Sequence, residues 1–385
     1  MVDFESAIEW TYFQVTMPGD TEETPKSMEG LFDFVGGIHK NPDFNEKYFD
    51  GYLEAWASFE LFCTQGVAKF IIVVPTAHKR LFEAIVYGQY PKADIKETVD
   101  YTLRYDWKDI RKKFEIRGSE MVLVEHDILP IKTNKEFEAK LAEKIPFADP
   151  MQITIETLTN LEPGEEFWMQ ICVRALDGGV IKQWEKRGEK KIAEISGQAK
   201  KAKPGLWENF QAFFLALPGE LLTILFRGPL DFEQKKEEKV LRFFNPADSA
   251  KMESILEKVS KNGFKVKIRL IHISPPGQMK KPNIGRGIGT FKQFALGHLN
   301  SFKPDGETKT NGPNFIMRDR RRLLREKNIL LNFQWRNFFG TDSGQIMNAE
   351  ELASLYHFPV KYVTAPSVER AKAGRTSPPP NLPYA

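Results

Sequence analysis

Two stretches of the chain repeat the element order β-α-β-β-α-β, a helical interruption divides the second, and 30 of the 385 residues are Phe. These observations predict an α+β fold: two ferredoxin-like β-α-β-β-α-β modules, the second interrupted by a helical insertion, plus a C-terminal helical and extended tail. With hydrophobic residues at 41 % and aromatics at 12 %, the chain has the apolar surface for packed sheet and helix layers, which excludes wholesale disorder.

The first module is assigned to residues 1–110. Glu9 to Met17 alternates and is rich in aromatic and β-branched residues, the pattern of a strand. Thr24-Pro25 supplies a cap and a first-turn proline for a helix with Met28, Leu31, Phe32 and Val35 on one face, ended at Gly36-Gly37. Ala57–Gln65 and Val67–Pro75 read as strands of a hairpin turning at Gly66. Thr76 caps a second helix through Leu81, Phe82, Ile85 and Val86, and Ala93 to Leu103 supplies the fourth strand.

The second module is assigned to 111–176 and 239–274. Glu120 to Asp127 is its first strand. Asp149-Pro150 opens a helix through Ile153, Ile155, Leu158 and Leu161, Pro163-Gly164 turns the chain, and Glu166 to Ala175 is a strand. Lys239 to Phe244 is a short strand and Asn245-Pro246 starts a helix facing inward through Met252, Ile255, Leu256 and Val259. Phe264 to Ile273 alternates as the last strand. Self-similarity between the two copies is weak, so the repeat rests on element order alone.

The insertion, 177–238, reads as helical. Ile181, Trp184, Ile192 and Ile195 form a stripe on a charged helix, and Trp207 to Phe226 is an apolar helix broken at Pro218-Gly219. Trp207, Phe210, Phe213 and Phe214 are its candidate partner or membrane contacts. Residues 275–364 are assigned to a C-terminal helical extension. In it Gly285, Gly287 and Gly289 punctuate a loop, Thr290 to Ser301 is a helix, and Arg318 to Lys327 is basic. Ile329 to Phe339 is an aromatic run, and Asn348 caps a helix from Glu350 to Tyr356. Residues 365–385, with Pro378-Pro379-Pro380, form a proline-rich linker.

The charge balance, 55 basic against 52 acidic residues for a net +3, does not mark a nucleic-acid binder, so that reading needs a local cluster. The cluster is Arg318, Arg320, Arg321, Arg322, Arg325 and Lys327. With Trp335 and Phe338 it could track a phosphate backbone while aromatics stack on bases. The plainer reading is a solvated helix face pairing with Asp319 and Glu326, or meeting an acidic partner. Cys63 and Cys172, each in an apolar run, read as buried free thiols. The N-terminus lacks the apolar core of a signal peptide, and Phe210 to Phe226 is too interrupted to span a bilayer. A cytoplasmic protein is expected, with the inner face of the membrane as the alternative if the insertion meets lipid.

Enzymatic motifs are weak. Gly285-Arg-Gly287-Ile-Gly289 lacks the dinucleotide spacing, and no Gly-x-x-x-x-Gly-Lys-Ser/Thr run occurs. The six histidines, His39, His78, His126, His272, His298 and His357, are scattered without metal-ligand spacing, and His272 reads as a sheet-surface residue. Glu165-Glu166 and Glu350-Glu351 read as turn and helix-start carboxylates, complementing a dipole or solvated. No catalytic, metal or cofactor residue is assigned.

Several segments in order carry a resemblance: Gly263-Phe264-Lys-Val-Lys-Ile-Arg269, Phe291-Lys-Gln-Phe294, Leu299-Asn300-Ser-Phe302, the block Asn348–Pro359 and the tail Pro378 to Pro383. Asp149-Pro150, Pro163 to Arg174 and Leu31 to Ile38 fit the same pattern. Together they resemble the N-terminal, pre-ATPase region of conjugation-type (type IV secretion-like) ATPases of the HerA–FtsK class from uncultured small-genome bacteria, with Asn348–Pro359 the most specific part. In such proteins a P-loop motor follows the Leu-Pro tail, and this chain ends at Ala385 without one. The resemblance implies a non-catalytic assembly module that docks onto a secretion-type ATPase or its membrane complex; a split gene, a fragment and a stand-alone partner all stay open, as does a homo-oligomer. The alternative is a single-stranded nucleic-acid-binding accessory protein using Arg318–Lys327.

Overall fold

The computed structural model describes residues 8–18, 23–39, 54–135, 137, 149–196, 246–297, 299–311, 317–338 and 344–359. The elements of the first half are β1 (Trp10–Thr16), α1 (Pro25–Gly37), β2 (Trp56–Thr64), β3 (Val67–Pro75), α2 (Lys79–Gln89) and β4 (Asp94–Thr98). Next come β5 (Glu115–Leu123), α3 (Pro150–Thr159), β6 (Glu166–Ala175), α4 (Gly178–Ile195), α5 (Pro246–Val259) and β7 (Gly263–Ser274). The chain continues with α6 (Lys281–Thr290), β8 (Phe302–Pro304), α7 (Arg318–Gln334), β9 (Gln345–Asn348) and α8 (Ala349–Leu355).

The fold is mixed α+β. Among the described residues all nine strands join one sheet in the order β4-β1-β3-β2-β6-β7-β5-β8, with β9 paired to the start of β7. Every neighbouring pair is antiparallel. The order reads alike from both ends toward the middle: β4-β1-β3-β2 meets β8-β5-β7-β6 at the β2–β6 seam. That seam is nine residues long, from Trp56 opposite Arg174 to Thr64 opposite Glu166.

Alternation along the central strands gives the sheet two different faces. On β2, Ala57, Phe59, Leu61 and Cys63 join the main core, together with Phe32 and Val35 of α1, Phe82 of α2, Ile155 of α3, Ile284 of α6 and Leu352 of α8. On the other face Phe62, Trp168 and Ile271 pack under Ile329, Leu330 and Phe333 of α7. Trp184 of α4 and Ile255 of α5 form a smaller cluster with Leu176 and Ile346.

Most sequence-derived elements are where the periodicity puts them, and the hairpin turns on Gln65 and Gly66, both at positive φ as its two-residue turn demands. Other elements differ. Strand pairing ends at Thr98, because Asp100 accepts the Thr102 amide at 2.9 Å and starts a 3-10 turn over Tyr101–Arg104. The β5 strand runs from Glu115 to Leu123 rather than from Glu120 to Asp127. Thr76 begins a 3-10 turn instead of capping α2, and its hydroxyl meets that of Thr11 at 3.0 Å. On α5, Ile255 is buried but Leu256 is exposed. The strand expected last in its half, β7, lies between β5 and β6, and the outer place falls to β8, beyond the expected Thr290–Ser301 helix, which the chain does not form. The glycines expected in a loop sit inside α6, where a Cβ on Gly287 would come within 2.1 Å of the Phe167 ring. Close helix–sheet approach outweighs the low helix propensity of glycine here. The expected strand at 239–244 and the helix at 207–226 lie outside the described residues.

Candidate functional site

The basic run, Arg318 to Lys327, forms the N-terminal part of the 17-residue α7, entered from Met317 in a left-handed conformation. Helical spacing sorts its cations by side. Arg322 lies toward the sheet and donates from Nε to the fully buried Glu326 at 2.7 Å, one turn on. The same carboxylate accepts Nη1 of Arg117 at 2.6 Å and Nε of Arg111 at 2.9 Å. Three guanidiniums therefore share one carboxylate, and burial together with the nearby Arg322 charge lowers the Arg117 pKa. Arg325 donates to the Lys309 carbonyl at 2.8 Å, and the Lys327 ammonium stands 3.9 Å from the Trp107 ring centre. Arg318, Arg320 and Arg321 are exposed and, among the described residues, make no ion pair or hydrogen bond through their side chains.

The aromatics expected beside this run are not with it. Phe338 is buried against Trp56 and under the Arg174 guanidinium, 4.6 Å from its ring centre. Trp335 is 54 % exposed but lies beyond the other end of α7, a helix about 25 Å long at 1.5 Å per residue. Trp207, Phe210, Phe213 and Phe214 lie outside the described residues.

A polar row absent from the sequence expectations crosses the centre of the α7 face. Glu60, Gln170, Arg269 and Glu120 stand opposite one another on β2, β6, β7 and β5. Arg269 donates from Nη1 to Gln170 and from Nε to Glu120, both at 2.8 Å, and Gln170 donates to Glu60 at 3.0 Å. Arg336, just past α7, closes the row by donating to Glu60 from Nε at 3.0 Å and to Asp100 from Nη1 at 2.8 Å. Burial opposes the charge on Arg336, but Glu60 and Asp100 outweigh it and raise its pKa. The hydroxyl of Tyr101 also donates to Glu60, at 2.9 Å, and burial beside that carboxylate pushes its pKa well up. The sequence offers only a partial signal for the row: Glu60, Gln170 and Arg269 are mid-strand polar residues, but each shares its face with others, such as Ser58, Glu166 and Lys267.

A second buried polar group surrounds α8. Asn348 caps it by accepting the Glu351 amide at 2.9 Å, and the Glu351 carboxylate returns to the Asn348 amide at 3.1 Å. The other Glu351 oxygen takes the Lys258 ammonium and the Ile131 amide, each at 3.0 Å. Glu350 accepts Thr133 at 2.8 Å and pairs with Lys261, whose pKa is lowered by burial and by neighbouring Lys135. A cavity of about 50 Å³ lies beside these groups, lined by Thr133, Lys135, Ser254, Glu257 and Lys258 among others. At the other end of α8, His357 faces acceptors on both nitrogens: the Ala353 carbonyl at 2.8 Å from Nδ1 and Asp149 at 2.7 Å from Nε2. Burial opposes the Asp149 charge, but His357 and the Met151 amide of the α3 cap outweigh it and hold the carboxyl below its usual range.

His272 is fully buried on the helix-covered face, a correction to its sequence assignment as a surface residue: alternation sets it opposite Arg269 and Ile271. Its Nε2 is 3.5 Å from Glu165, which accepts Asn283 at 3.0 Å, and burial lowers its pKa. Glu165, Glu166, Glu350 and Glu351 are likewise buried rather than solvated. Cys63 and Cys172 are buried free thiols. Among the described residues no cluster of His, Cys, Asp or Glu could hold a metal ion, and no helix is long and apolar enough to cross a membrane.

The chain belongs to the family described as Domain of unknown function (DUF8128), whose model matches residues 20–371. A comparison with curated proteins gives no match.

Proposed function

We propose that this chain is a non-catalytic assembly module that docks onto a secretion-type P-loop ATPase or its membrane complex. The observation that carries the reading is the outer side of α7, where Leu324 and the flanking Met317 are 57 % and 62 % exposed beside Arg318, Arg320 and Arg321. A helix whose inner side is spent on the sheet and whose outer side keeps large apolar groups among cations has the composition of a docking face.

The fold supports a rigid platform for that face. The orders β4-β1-β3-β2 and β8-β5-β7-β6, all antiparallel, suit two ferredoxin-like units joined edge to edge at β2 and β6. On this reading α4, α5 and residues 197–245 intervene between the second and third strands of the second unit. The resemblance of the Asn348–Pro359 block to the pre-motor region of HerA–FtsK-class ATPases supplies the partner. Binding of single-stranded nucleic acid through Arg318–Lys327 is the weaker reading, because Arg322, Arg325 and Lys327 are engaged internally and Phe338 is buried.

The test is affinity capture of the tagged chain from its native cells at physiological salt. Recovery of a P-loop ATPase or an envelope component supports the proposal. Capture of neither, from cells shown to contain both, refutes it.

A further inference from the structure

The exposed side of α7 has a second periodicity. Met317, Arg321, Leu324, Asn328, Leu331 and Trp335 recur at alternating intervals of four and three residues, the spacing of a seam between two helices. Met317, Leu324 and Trp335 are each more than half exposed, Arg321 and Asn328 are exposed, and Leu331 is half-buried. The sheet-facing residues Glu326, Ile329, Leu330 and Phe333 are on the opposite side, so the stripe takes no part in holding α7 down.

The residues beside the stripe are cationic on both flanks. In the heptad frame that places Leu324 at d, the exposed Arg318 falls at e and Arg320 at g, while Arg325 and Lys327, at the next e and g, are held by the Lys309 carbonyl and the Trp107 ring. Those positions choose the partner in paired helices.

From the exposed Met317, Leu324 and Trp335 of the stripe and the cations among and beside them, we infer that α7 is the docking surface for an acidic amphipathic helix of a partner protein: leucine-like residues against Leu324 and Leu331, and glutamates or aspartates against the arginines. The inference rests on the docking reading above and names the partner's chemistry. A second copy of this helix is disfavoured, since it would set cation against cation along both flanks. A phosphodiester backbone would satisfy the arginines but leave Leu324, at the centre of the face, against water and phosphate.

The test uses the full chain and a fluorescein-labelled peptide of about three heptads with Leu at a and d and Glu at e and g, read by fluorescence anisotropy. The peptide should bind, weaken with added salt, and lose about tenfold or more in affinity both in Leu324→Asp and in the triple variant Arg318→Glu, Arg320→Glu, Arg321→Glu. A peptide with Lys at e and g should show the reverse preference, binding the triple variant better than the wild type. All four positions are exposed, and circular dichroism of each variant confirms that it is folded. Absence of binding to wild type, or binding indifferent to both variants, overturns the inference. So does an oligothymidylate that binds through the arginines, indifferent to Leu324→Asp, where the peptide does not bind. If affinity capture still recovers the ATPase with the triple variant, this inference falls and the docking reading survives on another surface. If the peptide binds as expected and capture fails, the surface chemistry stands and the docking reading falls.

Discussion

Arg336 and Glu60, 276 positions apart in the chain, meet in the centre of the fold, with Nε 3.0 Å and Nη2 3.3 Å from the two carboxylate oxygens. Arg336 is held there by the end of α7: its amide bonds to Phe333 at 3.1 Å, the Asn337 amide to Asn332 at 2.9 Å, and its own φ is +52°. That is a Schellman termination with arginine where glycine is usual. The left-handed strain is of order 1 kcal/mol and is outweighed by pairing with Glu60 and Asp100.

Arg336→Met should therefore destabilise by about 3–5 kcal/mol, because it removes the cation shared by two buried carboxyl groups, Glu60 and Asp100. Arg336→Gly relieves the φ strain yet should cost nearly as much, since the missing guanidinium dominates. Urea unfolding monitored by tryptophan fluorescence would measure both. Equal stability of Arg336→Gly and wild type would show that the pair contributes little.

Acid should weaken the fold in two steps. The first belongs to His272, whose pKa burial lowers from 6.5. A base with a depressed folded pKa contributes fully above its unfolded value, and that contribution is lost as pH falls below about 6.5 toward the folded value. The second belongs to Asp149 and Asp100, whose pKa values are held below 3.8 against the opposing effect of burial, by His357 and Arg336 respectively. Their contribution is complete above 3.8 and is lost as pH falls through the depressed values. His272→Gln should flatten the first step alone and Asp149→Asn should shrink the second, in stability curves taken from pH 8 down. A His272→Gln curve that kept the upper step would assign that step elsewhere.

What could be read from the sequence was what one segment decides by itself. The apolar run of β6 from Phe167 to Val173, interrupted only by Gln170, the Gln65-Gly66 turn and the Asn348 cap with Glu351 three residues on are local signals, and all three stand in the structure. The place of β7 depends on which edges find each other across the chain, so the same residues fit an outer or an inner strand. The row through Glu60, Gln170, Arg269 and Glu120 requires three registers at once, and no single strand reveals it. In α6 the glycines argued locally for a loop, and only the approach of Phe167 explains them as helix.

That approach is testable directly. Gly287→Ala would bring a methyl into the Phe167 ring at 2.1 Å, and Phe167 is itself 1 % exposed. Overpacking of a closed core of this kind costs about 1–3 kcal/mol. Adding Phe167→Leu should recover part of the loss, giving a coupling between the two sites of about 0.5 kcal/mol or more in a double-mutant cycle. Strict additivity would mean that α6 relieves the clash by moving away from the sheet.

The two sides of α7 predict opposite responses to substitution. Leu330 is fully buried under the sheet-facing side and belongs to the cluster with Trp168 and Ile271, so Leu330→Ala should cost about 2–5 kcal/mol. Leu324, six residues earlier and 57 % exposed, touches no such cluster, and Leu324→Ala should leave stability within about 0.5 kcal/mol. Thermal unfolding of the two variants side by side decides whether α7 has a spare face. A large loss in Leu324→Ala would mean that the outer stripe already packs against part of this chain, leaving no seam for another helix. Wild-type stability in Leu324→Ala, with a strong loss in Leu330→Ala, would show a helix that one side anchors and the other side leaves available.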